Sequence, residues 1–309
     1  MICIVAPEAP NRRTGGHLVN KRLSHHPEIA LVTCSAPAQA VEPVLEARGP
    51  ASHARDARDP VLLDSLFLTD PAGVFALRAD LPREIPIGVL AHSLPSVIPG
   101  PPVEKRRRWL DAEEGIMPLL DIAIAPSSFM RHAIARRGMP LRLVHTVGLA
   151  PIVDGRGARP EERRGDRNGV HLLTVANWSP AKGIQRVLTA LRSARDLHWH
   201  WTIIGEWQSG YGTMIEREMR LEWDDGRVSV VGPVDSDELR RAYLNADLFV
   251  LPTQMESFGL VFAEAITFKL PVLASRVAAL PEVVGEAACL VPVGDDVALT
   301  SRLRALISD

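Results

Sequence analysis

The sequence predicts an α/β protein of two domains, each built on a parallel β-sheet covered by helices. Short apolar runs alternate with longer amphipathic ones, which is the rhythm of β-α-β units. This rhythm stops across 151–170, where Gly, Pro, Arg and Glu dominate, and then restarts. A chain of 309 residues also exceeds an ordinary single domain. We therefore expect domains at 1–150 and 171–309, joined by a linker at 151–170.

The apolar runs mark strands, and the amphipathic segments mark helices. Several runs are continuous, which is typical of parallel strands covered on both faces. In 1–150 the pattern predicts strands at Ile2–Ala6, Ile29–Cys34, Ile87–His92, Ile122–Ala125 and Leu143–Val147, and helices at Glu104–Leu119 and Ser128–Arg137. In 171–309 it predicts strands at His171–Val175, Trp199–Ile204, Val228–Val231, Leu248–Leu251, Val272–Ala274 and Cys289–Val291, and helices at Gly183–Arg195, Tyr211–Leu221, Asp235–Asn245, Phe258–Phe268 and Ala298–Ile307.

Composition excludes several classes of partner. The net charge of -2 gives no reason to expect nucleic acid. The cysteines Cys3, Cys34 and Cys289 form no Cys-x-x-Cys pair and predict reduced thiols. No apolar run approaches the ~20 residues of a membrane-spanning helix, and Met1–Ala6 is interpreted as a strand rather than a leader. We therefore expect a cytoplasmic protein.

The strongest motif lies where the predicted strand Leu248–Leu251 ends and a helix begins. Ser257 is suited to cap that helix, whose free N–H groups favour an anion, and Gly259 lets the anion approach the backbone. Glu256 precedes the helix, and Glu264 lies about two turns into it on roughly the same side. Two carboxylates are unusual beside phosphate alone, and they indicate the hydroxyl groups of a sugar and a ribose.

A second motif, Val175–Gly183, also joins a strand end to a helix start. Lys182 lies at that start, where a cation opposes the helix dipole unless an anion lies between them. Lysine is scarce, because 35 lysine and arginine residues include only Lys21, Lys105, Lys182 and Lys269 as lysines. A lysine at this position therefore indicates a diphosphate ligand.

The two motifs, at this spacing, resemble family 4 of the retaining glycosyltransferases, which have the GT-B fold of two Rossmann-like domains with parallel sheets facing across a cleft. The resemblance is clear over 171–309. It is looser over 1–150, where the matching pieces are Thr14-Gly15-Gly16, Ala91-His92-Ser93 and Asp121-Ile122-Ala123-Ile124-Ala125-Pro126-Ser127. It implies hexose transfer from a nucleotide-sugar, with UDP-sugar favoured over GDP-sugar, to a small-molecule or lipid-like acceptor. We expect neither a cofactor nor a metal ion, because no Asp-x-Asp motif or His cluster follows a predicted strand.

The resemblance also implies a role for each matching position. It places Glu264 on the ribose hydroxyls, Glu256 on the donor-sugar hydroxyls and Lys182 on the departing diphosphate. Other positions complete the implied site: the backbone amides of Phe258, Gly259 and Leu260 at the sugar and diphosphate, the backbone around Val234 at the base, Gly15 and Gly16 over the diphosphate, and His92 at the sugar and acceptor. Glu256, Lys182 and His92 are the implied catalytic residues.

Two departures from the family pattern keep another function open. Asn177 stands where the family usually has an arginine, so one cation for the diphosphate is missing. The chain ends at Asp309, whereas family members usually continue with a closing helix. The alternative is a catalytically degenerate module of the same fold that binds a sugar-nucleotide. An epimerase or phosphorylase is less favoured, because a phosphorylase needs a pyridoxal lysine and the chain has few lysines. A dinucleotide oxidoreductase is less favoured because no Gly-x-Gly-x-x-Gly follows a strand.

Each candidate residue also has a simpler explanation. Lys182 is alternatively a solvated lysine, Glu256 a plain carboxylate at a helix start, and Gly15-Gly16 a tight turn. His92 is alternatively a loop or core histidine whose polar atoms are satisfied. The basic run Lys105–Trp109 indicates a solvated helix face, with weak contact to an anionic membrane surface as the alternative. The sequence carries no signal for the oligomeric state.

Overall fold

Two six-stranded parallel sheets form the framework of the chain, and each lies in its own unit, Met1–Leu149 or Ala150–Asp309. The structure, a computed structural model, describes residues 1–8, 15–48, 59–156, 169–207 and 210–309. The predicted α/β class with two parallel sheets is confirmed. The predicted linker falls within the second unit, and its residues 157–168 lie outside the described residues, as does Thr14.

The first unit is a doubly wound sheet with helices between the strands. Its strands are β1 (Ile2–Pro7), β2 (Ile29–Cys34), β3 (Val61–Asp64), β4 (Ile87–Leu90), β5 (Ile122–Ala125) and β6 (Val144–Thr146). Its described helices are α1 (Gly15–Leu23), α2 (Val41–Arg48), α3 (Pro71–Asp80), α4 (Val103–Ile116) and α5 (Ser128–Ala135). The strand order β2-β1-β3-β4-β5-β6 reverses between β1 and β3. Ligands of such sheets bind beyond the carboxyl ends of the strands at the point of reversal, the switch point.

The sequence pattern did not predict the strand β3 or the helices α1, α2 and α3. β3 has four residues, all buried, and so short an apolar run does not separate a strand from a helical turn. α1 begins with two glycines, each of which disfavours a helix by ~1 kcal/mol relative to alanine. Packing on the sheet therefore decides these elements. β4 ends at Leu90, so His92 follows the strand instead of closing it as predicted.

The second unit has the strand order of a dinucleotide-binding fold. Its strands are β7 (Val170–Val175), β8 (Trp199–Ile204), β9 (Val228–Val231), β10 (Leu248–Leu251), β11 (Val272–Arg276) and β12 (Ala288–Pro292). Its described helices are α6 (Ile184–Leu191), α7 (Gly210–Glu222), α8 (Ser236–Asn245), α9 (Leu260–Thr267), α10 (Leu280–Val284) and α11 (Asp296–Ser308). The order β12-β11-β10-β7-β8-β9 reverses between β7 and β10, which places the switch point there.

An apolar cluster covers each face of this second sheet. One cluster contains Trp199 and Trp201 of β8 with Leu188 of α6, and the other contains Phe249 of β10 with Phe262 of α9. Neighbouring residues of β10 alternate between the clusters because side chains alternate across a sheet. Burial of one such side chain contributes ~1.5–3 kcal/mol, so the clusters hold the helices that follow β7 and β10 in place.

The helices that follow β7 and β10 begin later than predicted. α9 begins at Leu260 rather than Phe258, and Ser257 is not its cap. The capping residue is Gly259, whose φ of 94° lies in the left-handed region and which makes no side-chain hydrogen bond. α6 likewise begins after Gly183, whose φ is 71°. The predicted start of α9 was wrong because a left-handed glycine, rather than the hydroxyl of Ser257, turns the chain into the helix, and α6 begins one residue after its predicted start at Gly183.

Candidate functional site

The loops that follow β7 and β10 meet at the switch point of the second sheet. β7 and β10 are neighbours, with Leu173 opposite Phe249. The N–H of Gln254 donates to the carbonyl of Ala181 at 2.7 Å, and the hydroxyl of Thr253 donates to the same carbonyl at 3.3 Å. These bonds hold one loop against the other, so the two sequence motifs lie side by side.

Lys182 and Glu256 form an ion pair between these loops. Nζ of Lys182 lies 2.5 Å from Oε1 of Glu256, and the side chains are 28% and 12% exposed. Both charges are partly desolvated, and both remain within reach of a ligand. The contact favours a binding-site interpretation of Lys182 over a solvated surface lysine.

Both helices at this place begin from a position that requires glycine. A Cβ on Gly183 would lie 2.5 Å from the carbonyl oxygen of Pro252. A Cβ on Gly259 would lie 2.9 Å from the side chains of Leu280 and Phe262. The close packing brings the starts of α6 and α9 to the loops that carry the ion pair. The first N–H groups of a helix have no partner within it, and together with the dipole they favour an anion.

Glu264 is buried, with 2% of the residue exposed. Its Oε2 accepts a hydrogen bond from the hydroxyl of Tyr243 at 2.9 Å, and its Oε1 accepts one from the N–H of Ile152 at 3.1 Å. Burial raises the pKa of Glu264, and the bonds from Tyr243, Ile152 and Val153 oppose that rise. Glu264, which the resemblance assigns to ribose hydroxyls, therefore also binds the backbone of the predicted linker at Ile152. A ribose would have to share this carboxylate with Ile152 and Tyr243.

The loops after β7 and β9 hold two further predicted donor-site residues, Asn177 and Val234. Oδ1 of Asn177 accepts a hydrogen bond from the N–H of Glu206 at 3.3 Å, which ties the loop after β7 to the loop after β8. Val234 is half-buried against the cluster that contains Phe249. Trp207, which the sequence analysis missed, lies after β8 with its ring 3.4 Å from the position of a Cβ on Gly232.

A separate polar cluster lies at the switch point of the first sheet. Nε2 of His92 lies 2.7 Å from Oδ1 of Asn20, and Nδ2 of Asn20 donates to Oδ2 of Asp64 at 2.7 Å. A Cβ on Gly16 would lie 2.9 Å from the His92 ring, so the ring packs over the start of α1. Burial lowers the pKa of His92, Asp64 raises it, and His17 lowers it.

The predicted residues thus lie in two groups, one in each unit. Lys182, Glu256 and Gly259 lie together in the second unit, where Ser257, Phe258 and Leu260 are half-buried at the start of α9. Gly16 and His92 lie together in the first unit, where Gly15 and Gly16 begin α1 instead of forming a tight turn. The sequence pattern did not predict a role for Asn20, Asp64, Tyr243 or Trp207. Among these four, only Asp64 had a local indication in the sequence, because it ends a short apolar run.

Chemically, the group in the second unit suits a ligand that is both anionic and rich in hydroxyls. Lys182 and two helix starts favour phosphate, whereas Glu256 accepts hydrogen bonds. Within the described ranges, no group of three or more His, Cys, Asp and Glu side chains could hold a metal ion. In the same part of the chain, no helix combines the length and the apolar character needed to cross a membrane.

Comparison with known proteins finds a family model over the second unit and curated relatives over part of the chain. Residues 169–309 match the family model described as Glycosyl transferases group 1. A curated relative from Klebsiella pneumoniae, an uncharacterized 41.2 kDa protein in the cps region, is 27% identical over 187 residues, which cover 59% of this chain and 50% of the relative. The chain spans half or less of the length of the first three curated relatives that it matches.

Solved structures match the whole chain. Sucrose-phosphate synthase of Thermosynechococcus elongatus aligns with a TM-score of 0.74 at 19% identity, covering 100% of this chain and 90% of that chain. HepE of Anabaena, solved in complex with UDP and glucose, aligns with a TM-score of 0.69 at 15% identity, covering 99% and 90%. These likenesses show the fold, an α/β architecture of the GT-B kind, as the sequence predicted.

Proposed function

We propose that the chain is a retaining glycosyltransferase that moves a hexose from a nucleotide-sugar, with UDP-sugar favoured, to a small or lipid-like acceptor without a metal ion. The observation that carries the proposal is the 2.5 Å contact between Lys182 and Glu256 at the switch point of the second sheet. The match of residues 169–309 to group 1 glycosyl transferases supports the reaction class. The UDP and glucose bound to HepE support the donor.

The geometry suits a reaction in which the leaving group carries the developing charge. As the bond from the anomeric carbon to the diphosphate breaks, negative charge gathers on the diphosphate and the sugar takes oxocarbenium character. The acceptor oxygen then bonds to the anomeric carbon, and its proton passes to the departing diphosphate. Lys182 and the starts of α6 and α9 stabilise that charge. Each such contact supplies ~2–4 kcal/mol, by analogy with single oxyanion donors. Glu256 accepts hydrogen bonds from sugar hydroxyls and holds the anomeric carbon in place.

The second candidate is a module that binds a sugar-nucleotide without turning it over. Asn177 favours it, because a neutral amide stands at the position where the family pattern has a cation. Lys182, Glu256 and Glu264 argue against it, because all three residues of the family pattern are present. This candidate predicts nucleotide binding with neither transfer nor hydrolysis.

Calorimetric titration with UDP, GDP and UDP-sugars in the presence of a chelator tests the donor site. We expect micromolar binding of one nucleotide, and binding weakened at least about tenfold, or about 1.4 kcal/mol, in Lys182→Ala because the cation on the diphosphate is lost. Lys105→Ala, which removes an exposed lysine from α4, is the matched control and should bind as wild type does. No nucleotide binding by the folded protein contradicts the proposal.

Release of UDP from UDP-sugars, with and without an acceptor panel, then separates the two candidates. Turnover in the chelator, with the anomeric configuration of the product unchanged by NMR, supports the retaining transferase. Binding without any turnover supports the degenerate module. Turnover that the chelator abolishes contradicts the metal-independent mechanism.

A further inference from the structure

Asp64, Asn20 and His92 form a hydrogen-bonded chain at the switch point of the first sheet, and each comes from a different part of the fold. Asp64 ends β3, Asn20 lies within α1, and His92 follows β4. Asn20 and Asp64 are 2% and 3% exposed, and the side chain of His92 is 10% exposed. Buried polar groups cost free energy unless they are hydrogen-bonded, so the arrangement depends on each of these bonds.

The direction of the hydrogen bonds follows from what each group can donate. The carboxylate of Asp64 only accepts: Oδ1 accepts from the N–H of Leu66 at 2.9 Å, and Oδ2 accepts from the Asn20 amide at 2.7 Å. The amide of Asn20 therefore turns its carbonyl oxygen toward His92, 2.7 Å from Nε2. Because a carbonyl oxygen cannot donate, Nε2 of His92 carries the proton. In a neutral imidazole, Nδ1 is then an acceptor.

The surroundings of His92 favour the neutral ring. Burial is the largest influence and lowers the pKa of His92, and His17 on α1 lowers it further. Asp64, whose Oδ2 lies 3.8 Å from Nε2, opposes both. Asp64 and His17 are the titratable groups that act on His92 from the elements described around it. No described residue makes a hydrogen bond to Nδ1, which leaves that nitrogen to a ligand.

We propose that Asn20 and Asp64 are positioning residues that hold His92 with its proton on Nε2, so that Nδ1 accepts a hydrogen bond from a substrate hydroxyl. The inference rests on the proposed glycosyl transfer for the substrate, since donor sugar and acceptor both carry hydroxyls. Its place at the switch point, beyond the carboxyl ends of β3 and β4, is where such sheets bind ligands. Gly16 contributes by leaving room for the ring.

Nitrogen-15 NMR of histidine-labelled full chain tests the hydrogen-bonded chain without any substrate, with the His92 signals assigned by their loss in His92→Gln. We expect a neutral His92 with the proton on Nε2 at neutral pH, and both tautomers in Asn20→Leu. Lys21→Ala, an exposed neighbour on α1, should leave the tautomer unchanged. A proton on Nδ1 in wild type, or an unchanged tautomer in Asn20→Leu, overturns the proposal.

If Asn20→Leu does not fold, Asp64→Asn tests the same chain. A neutral amide at position 64 both donates and accepts, so the amide of Asn20 is no longer held in one orientation. We expect both tautomers of His92 in this variant. A single fixed Nε2–H tautomer there would overturn the assignment of Asp64 as a positioning residue.

Kinetics of the full chain test the role of Nδ1. In Asn20→Leu we expect kcat for transfer to fall about tenfold or more, while the affinity for nucleotide, which the second unit binds, stays unchanged. Retained hydrolysis of the nucleotide-sugar assigns Nδ1 to an acceptor hydroxyl, and loss of hydrolysis as well assigns it to a donor-sugar hydroxyl. An unchanged kcat overturns the proposed role. If wild type turns over no donor, the proposed function fails, whereas the NMR result still decides the hydrogen-bonded chain.

Discussion

At the scale of single residues, burial shifts the pKa of two groups at the predicted sites. Burial raises the pKa of Glu264 and lowers that of His92, and in both cases it disfavours the charged form. Glu113 shows a different solution, because Arg137 pairs with it and the N–H of Ser96 donates to it at 2.8 Å. That pair belongs to the fold of the first unit, whereas Glu264 and His92 lie at the predicted sites.

Glu264→Gln is expected to remove a pH dependence of folding. The pKa of Glu264 is raised in the folded chain, so the stability that this group contributes is fully present below its ordinary value of 4.5. It is lost as pH rises through the raised value. Wild type should therefore lose unfolding free energy relative to Glu264→Gln as pH rises from 4.5 through the raised value. Urea titrations at both ends of the range measure the difference, and a constant difference contradicts the prediction.

At the scale of elements, the site depends on how two helices begin. α6 and α9 start after left-handed glycines, and both glycines pack so closely that a Cβ has no room. The close approach brings the free N–H groups of each helix to the loops that carry Lys182 and Glu256. A hydroxyl cap such as Ser257 would leave the start of α9 at a different residue.

Alanine at Gly183 should cost more stability than alanine at another left-handed glycine. Gly226 has a φ of 81° with nothing within 4 Å of an added Cβ, so Gly226→Ala should cost only the backbone strain of ~1–2 kcal/mol. Gly183→Ala adds the clash with the carbonyl of Pro252 and should cost ~1–3 kcal/mol more. Urea unfolding of both variants measures the two losses. Equal losses would show that the close approach of Gly183 to the carbonyl of Pro252 adds nothing to the cost of the substitution.

At the scale of the whole molecule, each unit has a group of polar side chains at the point where its strand order reverses. The first sheet reverses its order between β1 and β3, where His92, Asn20 and Asp64 meet. The second sheet reverses between β7 and β10, where Lys182 and Glu256 meet. Both polar groups therefore lie where parallel sheets leave room for a ligand.

Residues 150–309 are expected to fold alone and to bind nucleotide. This unit has its own sheet with an apolar cluster on each face, and it holds Lys182, Glu256 and Glu264. Its affinity should lie within about tenfold of that of the full chain, because Lys182, Glu256 and Glu264 all lie in this unit. Circular dichroism and calorimetry check the two parts. A folded unit that binds no nucleotide would show that the first unit supplies an indispensable part of the site.

The sequence by itself determined the α/β class, the two sheets, the bounds of β2, β5, β8, β9 and β10, and the motifs around Lys182 and Glu256. These features are readable because apolar periodicity and strand-to-helix junctions are local, within about 10 residues. The same locality explains the error at the start of α9, because the sequence contains both Ser257 and Gly259 and does not show which of them adopts the capping conformation.

Tertiary structure alone decided β3, α1 and the partners of the buried polar groups. Asn20 and Asp64 stand 44 positions apart, His92 and Asn20 72 apart, and Glu264 and Ile152 112 apart. No local pattern records which distant atom satisfies a buried donor or acceptor, because that depends on how the sheet brings strand ends together. The strand-to-helix junctions that carry Lys182 and Glu256 could therefore be predicted from the sequence, whereas the hydrogen bonds that join His92, Asn20 and Asp64 could not.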